Sequence, residues 1–343
     1  MIPDKSYKHI FIGITLILLI CFIINISLGS VYIPWIDTLS SLIGNTVEKE
    51  SWKHIIINYR LPKAITAIIV GSGLGVSGLL MQTLFKNPLA GPFVLGISSG
   101  ASLGVAILIL GSTFTGVAIS SFLVSKWGLI IGASLGSILV LFMVMLVSAK
   151  VRDTMAILII GLMFGSITTA IVSVLSYFAP AFQLQKYIFW GFGSLGNLSW
   201  NEVFLFLGIS LLGIILAVLA IKPLNTLLLG ENYARSLGLH IKKSRFLIII
   251  ATGLLAGSST AFAGPIAFIG LAVPHLTRQL FHTSDHRTLI PAVVLLGSII
   301  MLLCDSIAQL PTSEYTLPIN AITSLIGAPV VIWLLIRKRK MIF

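Results

Sequence analysis

One uncharged run constrains this chain more than any other feature. Phe246–Thr277 spans 32 residues without an Asp, Glu, Lys or Arg. As a single helix it would be roughly 48 Å long at 1.5 Å per residue, against a hydrocarbon core about 30 Å thick. The run therefore has to break, and Gly264-Pro265 supplies the place, because Pro removes a backbone donor and crowds the preceding turn. A second break is expected at Pro274-His275, ahead of Arg278. The expectation is one long and one short helix with irregular backbone beside them. Such backbone survives at membrane depth only where protein or a water-filled cavity covers it. The plain alternative is a loop between two ordinary spans.

The rest of the chain is of the same kind. It is 57% hydrophobic and 9% charged, whereas soluble domains carry about 25% charged residues. That composition defines an all-α polytopic membrane protein, and 1-343 reads as one membrane domain. Ile10–Ile36 is the first uncharged window and reads as a retained span, too long for a signal-peptide core. Further windows are Ala64–Phe85, Asn87–Ser125, Trp127–Ala149, Thr154–Gln185, Val203–Ile221, Phe246–Thr277, Thr288–Cys304 and Tyr315–Ile336. Asn87–Ser125 is expected to hold one span after a Pro-Gly entry loop. Thr154–Gln185 is expected to hold one span ending near Pro180, with a short helix up to Trp190-Gly191. With two helices in Phe246–Thr277, the total is ten transmembrane helices.

The net charge of +12 sits between apolar runs, so it reports topology and headgroups and not nucleic acid. With both termini in the cytoplasm, 16 of the 22 Lys and Arg residues fall inside and 6 outside. Cys21 and Cys304 lie in apolar stretches and imply neither a disulfide nor a metal site. Small-xxx-small pairs such as Gly71/Gly75, Gly100/Gly104 and Gly132/Gly136 predict close helix packing. Ala90-Gly91-Pro92 and Ala263-Gly264-Pro265 form a faint echo, of the sort an inverted repeat produces.

No Gly-Lys dipeptide occurs, so the chain has no P-loop, and any nucleotide is bound by another chain. Gly75-Val76-Ser77-Gly78 resembles an intramembrane serine protease string, with His275 as the one candidate partner on another span. The strings Arg60-Leu61-Pro62-Lys63 and Pro223–Leu239 carry more information. The first reads as a basic knob at an outer helix start, suited to an acidic partner although the helix dipole opposes it. The second is an amphipathic inner segment bounded by Gly230 and Gly238, suited to a cytoplasmic partner or to a surface connector. Asp305 should sit near the outer surface, with Glu314 beyond it. A secondary transporter would want paired ionisable groups near mid-membrane, and the available groups, Asp305 and His275, lie near span ends.

These stretches together resemble the FecCD/cobalamin-type permease subunit family of ABC importers, which take up iron-siderophores, haem or cobalamin. The carrying motifs are Arg60-Leu61-Pro62-Lys63, Gln82 with Asn87-Pro88-Leu89-Ala90, Trp190-Gly191, Leu224-Asn225 with Gly230-Glu231, Gly264–Arg278, Asp285-His286-Arg287, Asp305, Glu314 and Gly327-Ala328-Pro329. The resemblance implies a type II importer permease fold in the inner or plasma membrane, working as a homodimer and not as an enzyme. It implies two ATPase subunits holding ATP-Mg, no cofactor on this chain, and an extracytoplasmic binding protein that delivers an iron-siderophore; a cobalamin or haem cargo is the alternative. Arg60, Lys63 and Glu314 are implied to meet the binding protein. Leu224, Asn225, Gly230, Glu231, Ala234, Leu237 and Gly238 are implied to dock the ATPase. Gln82, Asn87, Leu89, Thr154, Gly264 and Pro265 are implied along the translocation pathway and its gate. Two positions depart from the family pattern: Gln309 stands where an Arg is usual, and Asn320 where a Gly is usual. The first removes a basic docking contact, and the second predicts different packing at the outer end of span ten.

Overall fold

A computed structural model describes residues 7–45, 47–111, 125–148, 151, 154–310, 313 and 315–336. Inner and outer below follow the orientation read from Lys and Arg. The chain opens with α1 (Lys8–Ser27), then the short outer helices α2 (Trp35–Ile43) and α3 (Glu50–Ile55). One π-helical turn, Ile56–Arg60, leads into α4 (Leu61–Leu84). A 3-10 turn, Pro92–Leu95, precedes α5 (Ile97–Ile109), followed by α6 (Lys126–Ser148), α7 (Thr154–Phe178) and the outer helix α8 (Ala181–Gly191). Next come α9 (Trp200–Leu219), the inner pair α10 (Ile221–Leu228) and α11 (Glu231–Ser236), and α12 (Ile241–Ala263). The last three are α13 (Ile269–Phe281), α14 (His286–Ala308) and α15 (Ile319–Ile336).

Among the described residues, seven helical stretches are long and apolar enough to cross a membrane. Two shorter apolar helices, α5 and α15, add to these; α13, 13 residues long with Arg278 in its last turn, stands where the tenth span is expected. The expected short helix after Pro180 is α8, and the expected long and short pair in Phe246–Thr277 is α12 and α13.

The helix through α4 is the centre of the bundle. Its most apolar window is 89% buried, against 28% for α1 and 22% for α7. It packs against α14, α12, α13 and α9. Glycine permits that closeness, since a methyl group on Gly71 would lie 2.2 Å from the Gly297 carbonyl of α14. Between α5 and α6, a methyl on Gly104 would lie 1.9 Å from Gly132 O. With lipid as solvent, such contact is what holds helices together.

Two sequence expectations about proline are corrected. Arg60-Leu61-Pro62-Lys63 does not start a helix, because Glu50–Leu84 runs without interruption for 35 residues. The π turn absorbs Pro62. In that wider register the proline's missing N–H would have met Ile57 O, and Trp200 Nε1–H takes that carbonyl instead at 3.1 Å. Pro274 likewise breaks nothing and lies inside α13. The carbonyl it leaves free, Gly270 O, points at α4, where a methyl on Gly78 would lie 1.7 Å from it. A Cα–H contact from Gly78 answers that carbonyl.

The break at Gly264 stands. Gly264 adopts φ 78°, ψ 177°, and a side chain there would meet Gly193 Cα and Trp190 O at 2.8 Å. The irregular backbone is covered by protein: Ser194 N–H donates to Ala263 O at 2.8 Å, and Ala267 N–H donates to Asn320 Oδ1 at 3.0 Å. Asn320 thus anchors the outer end of α15 to the broken segment, through a side chain that the family's usual Gly does not have. The echo between the two Gly-Pro segments is also visible in the backbone. Each leads through a residue of positive φ, Gly96 (72°) and Phe268 (65°), into a helix of 13 residues.

Candidate functional site

The residues marked in the sequence gather into an outer cluster and two inner ones. Outside, Arg60 is engaged within the chain. Its Nη1 donates to Ile26 O and Ser27 O at 2.8 Å each, and its Nη2 donates to Val31 O. The guanidinium therefore caps the carbonyl end of α1, where a helix dipole favours a cation. The dipole objection from the sequence falls away, since Arg60 sits inside a continuous helix. Lys63 reaches Asp305 Oδ1 at 3.1 Å, and its side chain is 21% exposed. Asp305 is buried, and its other oxygen accepts from Asn25 Nδ2 at 2.9 Å and from Gln309 Nε2 at 2.8 Å. Gln309 thus hydrogen-bonds Asp305 but supplies no charge, and Lys63 is the cation that answers the carboxylate. Glu314 lies outside the described residues.

The inner gate residues hang on α13. Gln82 is fully buried on α4; its Oε1 accepts from Arg278 Nη1 at 2.7 Å and its Nε2 donates to Leu271 O at 3.3 Å. Asn87 N–H donates to Gln82 O at 3.2 Å, and the Asn87 side chain accepts from Leu89 N–H at 2.9 Å, closing the loop on itself. His275 Nε2 contacts Pro88 O at 2.8 Å, and since a carbonyl only accepts, that nitrogen carries the proton. Leu89 is left 46% exposed at the tip. Thr154 is the first residue of α7, and its side chain lies outside the described set. Gly264 and Pro265 do not join this group, being at the opposite end of α12.

The second inner cluster is the α10–α11 segment. Leu224 and Ala234 are fully buried and anchor it. Gly230 (φ 107°) and Gly238 (φ 82°) bound α11 as the sequence predicts. Glu231 pairs with Arg245 at the foot of α12. Asn225 Nδ2 donates to Asp285 Oδ1 at 2.6 Å, tying α10 to the head of α14. Leu229, Tyr233 and Leu237 recur every four residues and are 63%, 55% and 59% exposed. Leu229 and Tyr233 are absent from the residues marked in the sequence, although their spacing with Leu237 was available there.

A cavity of about 560 Å³ lies between α5, α7 and α8, lined by Ser98, Ser102, Thr169, Ser173 and Tyr187 among others. A smaller one of about 330 Å³ touches Gly264, Trp190, Lys126 and Lys186 near the outer surface. The sequence reading did not find the hydroxyl wall, because its members come from three helices.

This bundle, with a covered break in one span and an anchored inner segment, is the architecture of an ABC importer permease. Residues 17–337 match the FecCD transport family, and the chain belongs to it. It is 38% identical over 340 residues to the vitamin B12 import system permease protein BtuC of Klebsiella pneumoniae, covering 98% of this chain and 95% of the relative. It is 33% identical over 337 residues to the hemin transport system permease protein HmuU of Yersinia pestis, covering 98% of both. A solved metal-chelate type ABC transporter in an inward-facing conformation superposes with a TM-score of 0.83 at 30% identity, covering 97% of this chain and 100% of that one. The chain is a multi-pass membrane transport subunit and not an enzyme. The protease alternative is accordingly set aside. Ser77 Oγ donates to Leu74 O at 2.8 Å while His275 serves the gate loop.

Proposed function

We propose that this permease carries a ferric siderophore complex delivered by an extracytoplasmic binding protein, as one of two identical membrane chains driven by two ATPase subunits. The observation that carries the cargo reading is the hydroxyl-lined cavity, whose lining includes no charged side chain. Thr169 and Ser173 direct their protons to Gly165 O and Thr169 O at 2.9 Å each. Those two present oxygen lone pairs to the cavity, and the remaining Ser and Tyr hydroxyls can donate or accept. A charge-neutral chelate with many donor groups suits it. An ionised carboxylate there would lose water without gaining a cation, which weighs against haem. A corrinoid is the second reading, favoured by the relatives named for vitamin B12 import.

The remaining assignments follow the same orientation. The cavity opens along α7, whose surface is mostly uncovered, and a second copy would close that side. The exposed apolar side chains Leu229, Tyr233 and Leu237 support α10–α11 as the ATPase-docking element. Nucleotide and Mg belong to the ATPase chains. Lys63 and Glu314 are assigned to the contact for the binding protein, with Arg60, whose guanidinium is taken up by the end of α1, placing that surface. Uptake of a radiolabelled ferric trihydroxamate, of cobalamin and of haem by cells that depend on this permease and its own partner subunits tests the cargo. Uptake of the ferric complex alone supports the reading. Cobalamin uptake without iron uptake replaces it with the corrinoid.

A further inference from the structure

The Asp285-His286-Arg287 motif is left without a task by the assignments above, yet it sits in a buried polar junction of the inner face. Thr83 and His286 are each 1% exposed. His286 Nε2 contacts Thr83 Oγ1 at 2.8 Å, and His286 Nδ1 contacts Asn225 Oδ1 at 2.6 Å. The same Asn225 oxygen accepts from His286 N–H at 3.0 Å, while Asn225 Nδ2 donates to Asp285. The Asn225 oxygen has only lone pairs to offer, so Nδ1 carries the proton. A neutral ring then leaves Nε2 as an acceptor for the Thr83 hydroxyl. The Thr83 hydroxyl has one proton and two acceptors in reach, His286 Nε2 at 2.8 Å and Leu79 O at 3.0 Å, and the shorter contact is the one to the ring.

The elements joined are the point. Asn225 lies on α10, His286 heads α14, and Thr83 is on the last turn of α4. Thr83 is next to Gln82, whose carbonyl holds Asn87 and so the gate loop. A buried link of this kind resists opening, because each broken bond strands a desolvated donor or acceptor.

We propose that His286 is a positioning residue that transmits movement of α10 to α4 and to the Asn87–Leu89 gate. This rests on the reading of α10–α11 as the ATPase-docking element. The test uses the full permease–ATPase complex in nanodiscs, with Cys21 and Cys304 replaced by alanine and Leu89→Cys as reporter. The quantity read is the change in thiol labelling rate between the nucleotide-free and the nucleotide-trapped complex. Thr83→Val and His286→Phe should shrink that change on the order of fivefold or more, the scale of a modest coupling free energy. His286→Gln, which keeps one donor and one acceptor, should restore part of it. An undiminished change in Thr83→Val would overturn the relay. So would equal losses in His286→Gln and His286→Phe, which mark a packing role. Thr83→Val is nearly isosteric, so the test survives a His286 variant that does not assemble. Failure of the docking reading has its own signature: Tyr233→Arg and Leu237→Arg chains that retain the ATPase as wild type does would remove the relay's input.

Discussion

Gln309→Arg tests the electrostatics of the outer face most directly. In the native cluster the Lys63 charge is matched by Asp305, and the amide of Gln309 lies 2.8 Å from the same carboxylate. An Arg at that position would take Asp305 as a two-pronged, charge-assisted partner. Lys63, already 21% exposed on its side chain, would then be released toward solvent, and the cluster would gain one positive charge. A unit charge about 4 Å from a carboxylate is worth about 1 kcal/mol in water. Converted to a rate, that is a ceiling of about fivefold on association with an acidic partner. The longer side chain enters a nearly buried position, so overpacking should cost about 1–3 kcal/mol of stability. The assay is the association rate of the cognate binding protein with permease in lipid nanodiscs, taken across ionic strength. The gain should be largest at low salt and fade as the Debye length falls to about 8 Å near physiological ionic strength. Asp305→Asn should move the rate in the same direction without the added bulk. If both variants match wild type at every ionic strength, outer charge has no part in docking.

Arg60→Ala should loosen the carbonyl end of α1, which it caps at 2.8 Å, lowering stability by about 1.5–3 kcal/mol; a thermal melt in detergent reads this, and an unshifted midpoint refutes the capping role. Gly78→Ala should cost more than the usual 1–3 kcal/mol of overpacking, because the new methyl would lie 1.7 Å from a backbone carbonyl that cannot swing away; native-like yield and melting would refute the close approach of α4 and α13. Tyr233→Arg with Leu237→Arg should abolish copurification of the ATPase with little change in the permease's own melt, since both side chains are more than half exposed; retained copurification refutes the docking assignment. Asn320→Gly, which restores the family's usual residue, should leave the Ala267 N–H without its 3.0 Å acceptor and destabilise by about 1–3 kcal/mol, measured in the same melt.

What the sequence determined by itself is what one-dimensional chemistry can set. Runs such as Phe246–Thr277 are too apolar for water and too long for one crossing, so the need for a break follows from length, and its place at Gly264-Pro265 from the chemistry of proline. The order of the motifs then carries the family. Proline misled twice, because Pro62 and Pro274 look like breaks until the partners for the freed carbonyls are known. Trp200 supplies one, and Gly78 the other, from helices far away in sequence. The tertiary structure likewise decided which charges are spoken for. Arg60 reads as a free basic knob until α1 brings its carbonyl end alongside, and Lys63 does so until Asp305 arrives from α14. The hydroxyl cavity and the Thr83–His286–Asn225 link are likewise tertiary. Each draws its residues from three helices, and only packing puts their polar atoms within reach of one another.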